Sequence, residues 1–236
     1  MQCIILAGGF GTRLKTSVSD RPKCLALINN YQTPFLELLI NYLSLQGVTR
    51  FLFSLGFLHE QVLEYLTNNQ KKLNYIYEIE NTPLGTGGAI KNIFPKIEDD
   101  NVLIVNADTF FDINLADFLF FHKNNQSKCT IALKRLNNYD RYGTVRIDNK
   151  SKIISFIEKQ YTEIGFINAG LIFLNVDYFN SFILPTIFSF ENDFLTKIIN
   201  SNNIFGYNSE GYFIDIGIPD DYVRAQTELS KFSTYI

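Results

Sequence analysis

Tryptophan is missing from this chain of 236 residues, and only three cysteines and two histidines occur in it. Cys3, Cys24 and Cys129 lie far apart in the sequence. They offer no Cys-x-x-Cys pair, no even disulfide set and no Cys/His spacing of the kind that binds zinc. A reducing cytoplasm is the compartment expected from this. No apolar run approaches membrane-spanning length, and the apolar N-terminus lacks the basic stretch of a secretory signal. Lys/Arg runs are absent too, and the net charge is −3. Neither a nucleic acid nor a membrane is therefore an expected partner. Any anionic ligand has to be held by local positive groups, not by bulk charge. The histidines suggest no catalytic partner. His59 opens a predicted helix, and His122 sits near the end of another, where a cation would favour the helix dipole.

What is present suits a globular core: 46% hydrophobic and 19% charged residues, with 15% Phe and Tyr. Apolar patterning predicts strands at 3–7, 51–55, 75–79 and 102–105, alternating with helices at 35–45, 59–66, 88–94 and 115–122. That alternation implies parallel βαβ units. After residue 128 the spacing tightens, with strands expected at 129–133, 144–147, 152–157 and 166–174 and helices at 190–199 and 219–229. The expected fold class is α/β: a Rossmann-like, mixed but mostly parallel sheet flanked by helices. No linker or repeat divides the chain, so one domain is expected over 1–236.

The strongest local signal is Leu6-Ala7-Gly8-Gly9-Phe10-Gly11-Thr12-Arg13-Leu14. A buried strand runs straight into a glycine-rich loop with a cation just beyond it. Glycines let main chain approach a ligand closely, and their N–H groups can cradle phosphate oxygens. A plain tight turn would account for the glycines alone, but not for Arg13. The P-loop pattern fails here because no Gly-Lys-Ser/Thr closes it. The dinucleotide fingerprint fails because Leu14 stands at its third small position. Pro22-Lys23 follows; such a lysine could reach the α-phosphate of a nucleotide on the glycine-rich loop, although taken alone it reads as a solvated surface residue. Asp108 lies just past a buried strand, where ligand sites of α/β sheets gather, and a carboxylate there suits Mg²⁺. Asp112 reads as a cap of the helix at 115, and Asp220 and Asp221 as first-turn acids that offset a helix dipole.

These motifs, in order, resemble those of the sugar-phosphate nucleotidyltransferases. The likeness continues through Pro83-Leu84-Gly85-Thr86-Gly87-Gly88-Ala89, Asn106-Ala107-Asp108, Tyr142-Gly143-Thr144-Val145, Phe156-Ile157-Glu158-Lys159, Asn168-Ala169-Gly170 and Ile214-Asp215-Ile216-Gly217. It covers essentially the whole chain. Asp108-Thr109-Phe110-Phe111-Asp112, Asp140-Arg141-Tyr142-Gly143 and the ending Tyr212 to Pro219 are most similar to the D-glycero-D-manno-heptose 1-phosphate guanylyltransferase branch. A β-helical C-terminal extension found in some relatives is not expected. The pattern departs from the family at Lys15-Thr16, Cys24 and Leu27, where prolines are usual, and at Ala107, where glycine is common.

The resemblance implies a cytoplasmic, Mg²⁺-dependent enzyme that joins a nucleoside monophosphate from an NTP to a sugar 1-phosphate for surface polysaccharide synthesis. Residues 1–127 would form the nucleotide-binding half and 128–236 the sugar-phosphate half. Leu6, Ala7, Gly8, Gly9, Gly11, Thr12, Glu80, Gly85 and Thr86 would line the nucleotide. Arg13, Lys23 and Asp108 would be catalytic, with Asp108 and Asp215 holding the metal. Gly143, Glu158, Lys159, Asn168 and Gly170 would meet the sugar phosphate. Glu80 falls where the family reads the base edge, and one carboxylate can accept both the N1 and N2 protons of guanine, which favours GTP. UTP or CTP with a hexose or amino-sugar 1-phosphate stays open, as do a non-catalytic regulatory subunit, a dinucleotide-dependent oxidoreductase and homo-oligomerisation.

Overall fold

A computed structural model describes residues 1–11, 14, 18, 20–201 and 203–235, with the Ser233 side chain left aside. Thr12, Arg13, Lys15 and Thr16 lie outside the described residues. Among the described residues, thirteen strands and seven α-helices follow in chain order: β1 Gln2–Ala7, β2 Leu27–Ile28, β3 Thr33–Pro34, α1 Phe35–Leu45, β4 Arg50–Leu55, α2 His59–Asn69, β5 Tyr75–Ile79, α3 Gly85–Ile93, β6 Asn101–Asn106, β7 Thr109–Phe111 and α4 Leu115–Asn124. The later part holds β8 Cys129–Tyr139, β9 Thr144–Ile147, β10 Ile153–Ile157, β11 Thr162–Asn175, α5 Val176–Asn180, α6 Thr196–Ile198, β12 Ile204–Asn208, β13 Phe213–Asp215 and α7 Pro219–Glu228.

The main sheet runs β10-β9-β11-β6-β1-β4-β5, with β8 joined on β11 and β12 on β8. β6, β1, β4 and β5 are parallel, and β11 is antiparallel to β6, as the mixed α/β expectation required. Alternation along each strand feeds two cores. Cys3 and Ile5 of β1 face one layer of helices with Leu103, Val105 and Phe118. Ile4 faces the other with Val102, Ile104, Ile131 and Phe194.

One break in the sheet shapes the site. β11 pairs with β9 at Phe166 and Ile167 but with β6 from Leu171 onward. Its register against β8 shifts between Asn168 and Ile172. Gly170 sits in that shift at φ +78°, and an added Cβ would lie 3.0 Å from Asn106 Nδ2. The Asn168 side chain accepts from the Gly170 N–H at 3.0 Å, which braces the bulge.

Several expectations needed correction. The helix expected from 88 begins at Gly85, because Phe188 O accepts from both Gly87 N and Gly88 N and supplies the missing first-turn acceptor. The helix expected at 190–199 is a π-helical turn, Phe190–Leu195, running into the short α6. Asn114, not Asp112, caps α4, accepting from Ala116 N and Asp117 N; Asp112 accepts from the Tyr42 hydroxyl instead. His122 is not a cation at a helix end. Burial above all, then Lys123 and Lys128, push its pKa down to about 4. Its ring nitrogens are engaged by Thr130 and Asn101.

Candidate active site

At the C-terminal edge of β1, β4 and β6 lies a cavity of about 410 Å³. Its walls include Leu6 and Ala7 from the end of β1, Gly8, Gly9 and Gly11 from the turn after it, Glu80 just past β5, Gly85 and Thr86 from the start of α3, and Lys23 and Asp108. Ten of the residues singled out in the sequence thus meet around one space. Gly11 has φ +61°, and an added Cβ would lie 3.0 Å from Lys23 Cγ, so the lysine stem crosses the turn where glycine leaves room. Leu14, at the position that denied a dinucleotide fingerprint, is fully buried in the core and anchors the far end of the loop.

Glu80 reaches the cavity because Gly8 has no side chain: an added Cβ would meet Glu80 Oε1 at 2.7 Å. Its carboxylate accepts from Ser54 Oγ at 3.3 Å and Leu84 N at 3.0 Å. Thr86 is committed within the chain. Its hydroxyl donates to Glu191 Oε2 at 2.7 Å and accepts from Phe190 N at 2.9 Å.

A two-stranded ladder that the sequence did not reveal assembles the carboxylates. β13 pairs antiparallel with β7, setting Asp215 opposite Thr109, next to Asp108. Ile216 N donates to Asp108 O at 3.0 Å and tightens the pair. Lys23 Nζ lies 3.0 Å from Asp108 Oδ2. The Asp215 carboxyl is pushed up, first by burial and then by the Asp108 charge, while the Gly217 N–H and Lys23 oppose the rise. Two carboxylates therefore address one place, and a cation already stands beside one of them. Among the described residues no three His, Cys, Asp or Glu side chains gather as a ready-made metal cage. Burial and Asp108 likewise push the neighbouring Cys24 thiol up to about 12, which keeps it a neutral wall group.

None of the expected sugar-side residues lines the cavity. Asn168 and Gly170 lie against Asn106 and Thr109 through the β11 bulge. Gly143 follows Tyr142, whose hydroxyl donates to Asp215 Oδ2 at 3.5 Å. An added Cβ at Gly143 would sit 3.0 Å from Ile157 O, one residue before Glu158. Glu158 and Lys159 themselves are exposed.

Sequence reading gave Arg141 no role and assigned Asp221 only to the helix dipole. Asp221 is in the first turn of α7, but its side chain is buried. Arg141 Nη2 donates to it at 2.6 Å and Arg224 Nη1 at 2.8 Å. Nothing local could have revealed a partner 80 residues away; only the Asp140-Arg141-Tyr142-Gly143 string pointed to the region.

A glycine-walled cavity at strand ends, with a lysine and one carboxylate in its wall and a second carboxylate beside them, defines a phosphate-handling α/β protein. The chain belongs to the nucleotidyl transferase family, whose profile matches residues 2–231. It is 43% identical over 232 residues to the D-glycero-alpha-D-manno-heptose 1-phosphate guanylyltransferase of Aneurinibacillus thermoaerophilus, covering 98% of this chain and 100% of that one. The protein of the same name from Campylobacter jejuni is 42% identical over 222 residues, 94% of this chain and 97% of its own. Among solved structures, HddC from Yersinia pseudotuberculosis superposes with a TM-score of 0.86 at 35% identity, over 97% of this chain and 99% of that one. HddC complexed with GMP-PN gives 0.85 at the same identity and coverage.

Proposed function

We propose that this chain transfers GMP from GTP to D-glycero-α-D-manno-heptose 1-phosphate, releasing pyrophosphate, in the cytoplasm. An oxygen of the sugar phosphate attacks the α-phosphorus in line. The new P–O bond forms as the bond to the β-phosphate oxygen breaks, and pyrophosphate leaves with that electron pair. The attacking phosphate is already ionised, so no general base is required, and positioning with charge neutralisation does the work. The observation that carries this reading is the Asp108–Asp215 pair with Lys23 at the end of a glycine-walled cavity. The heptose relatives, similar over nearly the whole chain, support the choice of sugar and base.

The carboxylate pair fits a divalent cation. Mg²⁺ takes one or two carboxylates and completes its shell with phosphate oxygens and water, so two acids without a third suffice. Burial raises the Asp215 carboxyl first and the Asp108 charge adds to it, and a cation held by the two acids would offset both. Asp108 and Asp215 would hold it, and bound there it supplies Lewis-acid neutralisation of phosphate charge. In this reading Lys23 offsets charge on the α-phosphate and Arg13 steadies the leaving pyrophosphate. Lys159 anchors the sugar phosphate and Glu158 its hydroxyls, with Gly143, Asn168 and Gly170 completing that wall. Glu80 takes the guanine N1 and N2 protons, beside main chain from Leu6, Ala7, Gly8 and Gly9.

Pyrophosphate release with Mg²⁺ tests this, using GTP, UTP, CTP, ATP and dTTP against the heptose 1-phosphate and mannose 1-phosphate. Selective turnover of GTP with the heptose is expected. A pyrimidine preference would discard the Glu80 assignment, and nucleotide binding without any turnover would leave a regulatory subunit. Lys23→Ala is expected to lower kcat at least about a hundredfold, as loss of a transition-state charge partner does.

A further inference from the structure

The buried carboxylate of Asp221 asks for an explanation that the helix dipole does not give. Asp220 stands in the same first turn, is exposed, and offers the same compensation. Asp221 instead keeps a side chain only 8% exposed, and a buried carboxylate is costly unless it is well paired. Its two oxygens serve two arginines: Oδ2 takes Arg141 from across the molecule, and Oδ1 takes Arg224 from one turn along α7. Arg141 in turn lies over the Tyr142 ring, 5.2 Å from its centroid. That ring packs edge-on against Phe213 of β13 at 6.0 Å, and its hydroxyl reaches Asp215. A continuous line of contacts thus runs from α7 through Asp221, Arg141 and Tyr142 to Asp215. The loop it fastens also carries Gly143. None of the residues in that line except Asp215 belongs to the proposed machinery, and none of them lines the nucleotide cavity.

We propose that Asp221 is a positioning residue that acts through Arg141, holding the 140–143 loop so that Tyr142 covers Asp215 and Gly143 presents its backbone to the sugar 1-phosphate. The identity of that ligand rests on the function proposed above. The two arms of one carboxylate provide the control. Arg224 shares Asp221 and α7 but touches neither Tyr142 nor the loop; its other partner is Glu228. A helix-stability role would make the two arginines equivalent, whereas positioning makes only Arg141 matter to the sugar.

The experiment compares wild type, Arg141→Ala, Arg224→Ala and Asp221→Asn by Tm, by KM for GTP and for the heptose 1-phosphate, and by kcat. A crystal structure of Arg141→Ala completes the set. Arg141→Ala and Asp221→Asn are expected to lower kcat/KM for the sugar phosphate by about ten- to a hundredfold, the scale of a misplacement near 1 Å. KM for GTP should stay within about twofold, a change too small to signal a lost contact. Arg224→Ala should keep wild-type kinetics even where its Tm falls. In the Arg141→Ala structure the Tyr142 hydroxyl should leave Asp215. Equal kinetic losses in Arg141→Ala and Arg224→Ala would overturn the proposal, as would a shift in KM for GTP as large as that for the sugar. If wild type turns over no sugar phosphate, the functional reading falls and the structure decides the positioning alone: Tyr142 still on Asp215 without Arg141 sinks it, and Tyr142 displaced sustains it.

Discussion

Two glycine-rich turns border the same cavity, one at residues 8–11 and one at 85–88, and the glycines of the two answer to different neighbours. In the first, a Cβ added at Gly9 meets nothing within 4 Å among the described residues. In the second, the room is already taken. A Cβ at Gly87 would strike the Phe188 ring at 2.2 Å, and one at Gly88 the Thr186 carbonyl oxygen at 2.3 Å. Phe188 O accepts from Gly87 N and Gly88 N, so the first turn of α3 spends its free N–H groups on the chain itself. Similar strings of glycine thus do different things. The first makes room for Glu80 and Lys23 at its ends and leaves main chain bare towards the cavity at Gly9, and the second lets a strap at residues 184–191 lie flat on a helix.

Removing the strap's anchor should show the contrast most strongly. Phe188 is only 5% exposed, and Phe188→Ala is expected to cost about 3–5 kcal/mol by urea unfolding, the usual range for a core phenylalanine. A cost below about 1 kcal/mol would mean that the strap does not hold the second turn. Acid should weaken the scaffold under both turns alike. The unfolded chain binds a proton at His122 near pH 6.5, but the buried ring resists it until about pH 4. Stability is therefore full above about 6.5 and falls as pH drops through 6.5 towards 4, by up to about 3 kcal/mol. His122→Gln should flatten that slope, and an unchanged slope would assign the acid sensitivity elsewhere. Gly88→Ala comes next at about 1–3 kcal/mol, because backbone and not a side-chain tip stands in the way. Gly87→Ala should cost a similar amount alone and far less in a Phe188→Ala background, where nothing fills the space. A double-mutant cycle reads that coupling, and additivity would break the account of the second turn.

The same contrast marks what was legible in the sequence. The parallel part was readable because each strand and helix carries its own period and stop signals: α1 and β5 fall where apolar spacing put them. The cavity was readable for the same reason, since strand ends of a parallel sheet converge on one edge. What stayed hidden depends on partners distant in sequence. β7 and β13 are three residues each and exist by pairing across more than 100 positions. Arg141 gains its meaning from Asp221, and Gly87 and Gly88 from Phe188. The helix expected from residue 88 was placed three residues late because glycines count against a helix start, while the carbonyl that caps them lies on the strap.

The smallest effect on stability is expected at Gly9, and it is the most telling for the first turn. Among the described residues no atom lies within 4 Å of an added Cβ, and no positive φ is required there, so Gly9→Ala should change stability by no more than a surface substitution does, about 0.5 kcal/mol. Gly9 nonetheless borders the cavity, and if phosphate or ribose approaches the bare main chain of this turn, a methyl group must push it away. KM for GTP should then rise about tenfold or more, equivalent to about 1.4 kcal/mol of lost binding, while KM for the sugar phosphate stays put. That pattern is the reverse of the one expected for Arg141→Ala, so the two variants together separate the nucleotide face from the sugar face of one site. An unchanged KM for GTP would mean that the ligand does not use the turn's open side, and the first turn would then be explained, like the second, by packing alone, through Gly8 against Glu80 and Gly11 against Lys23.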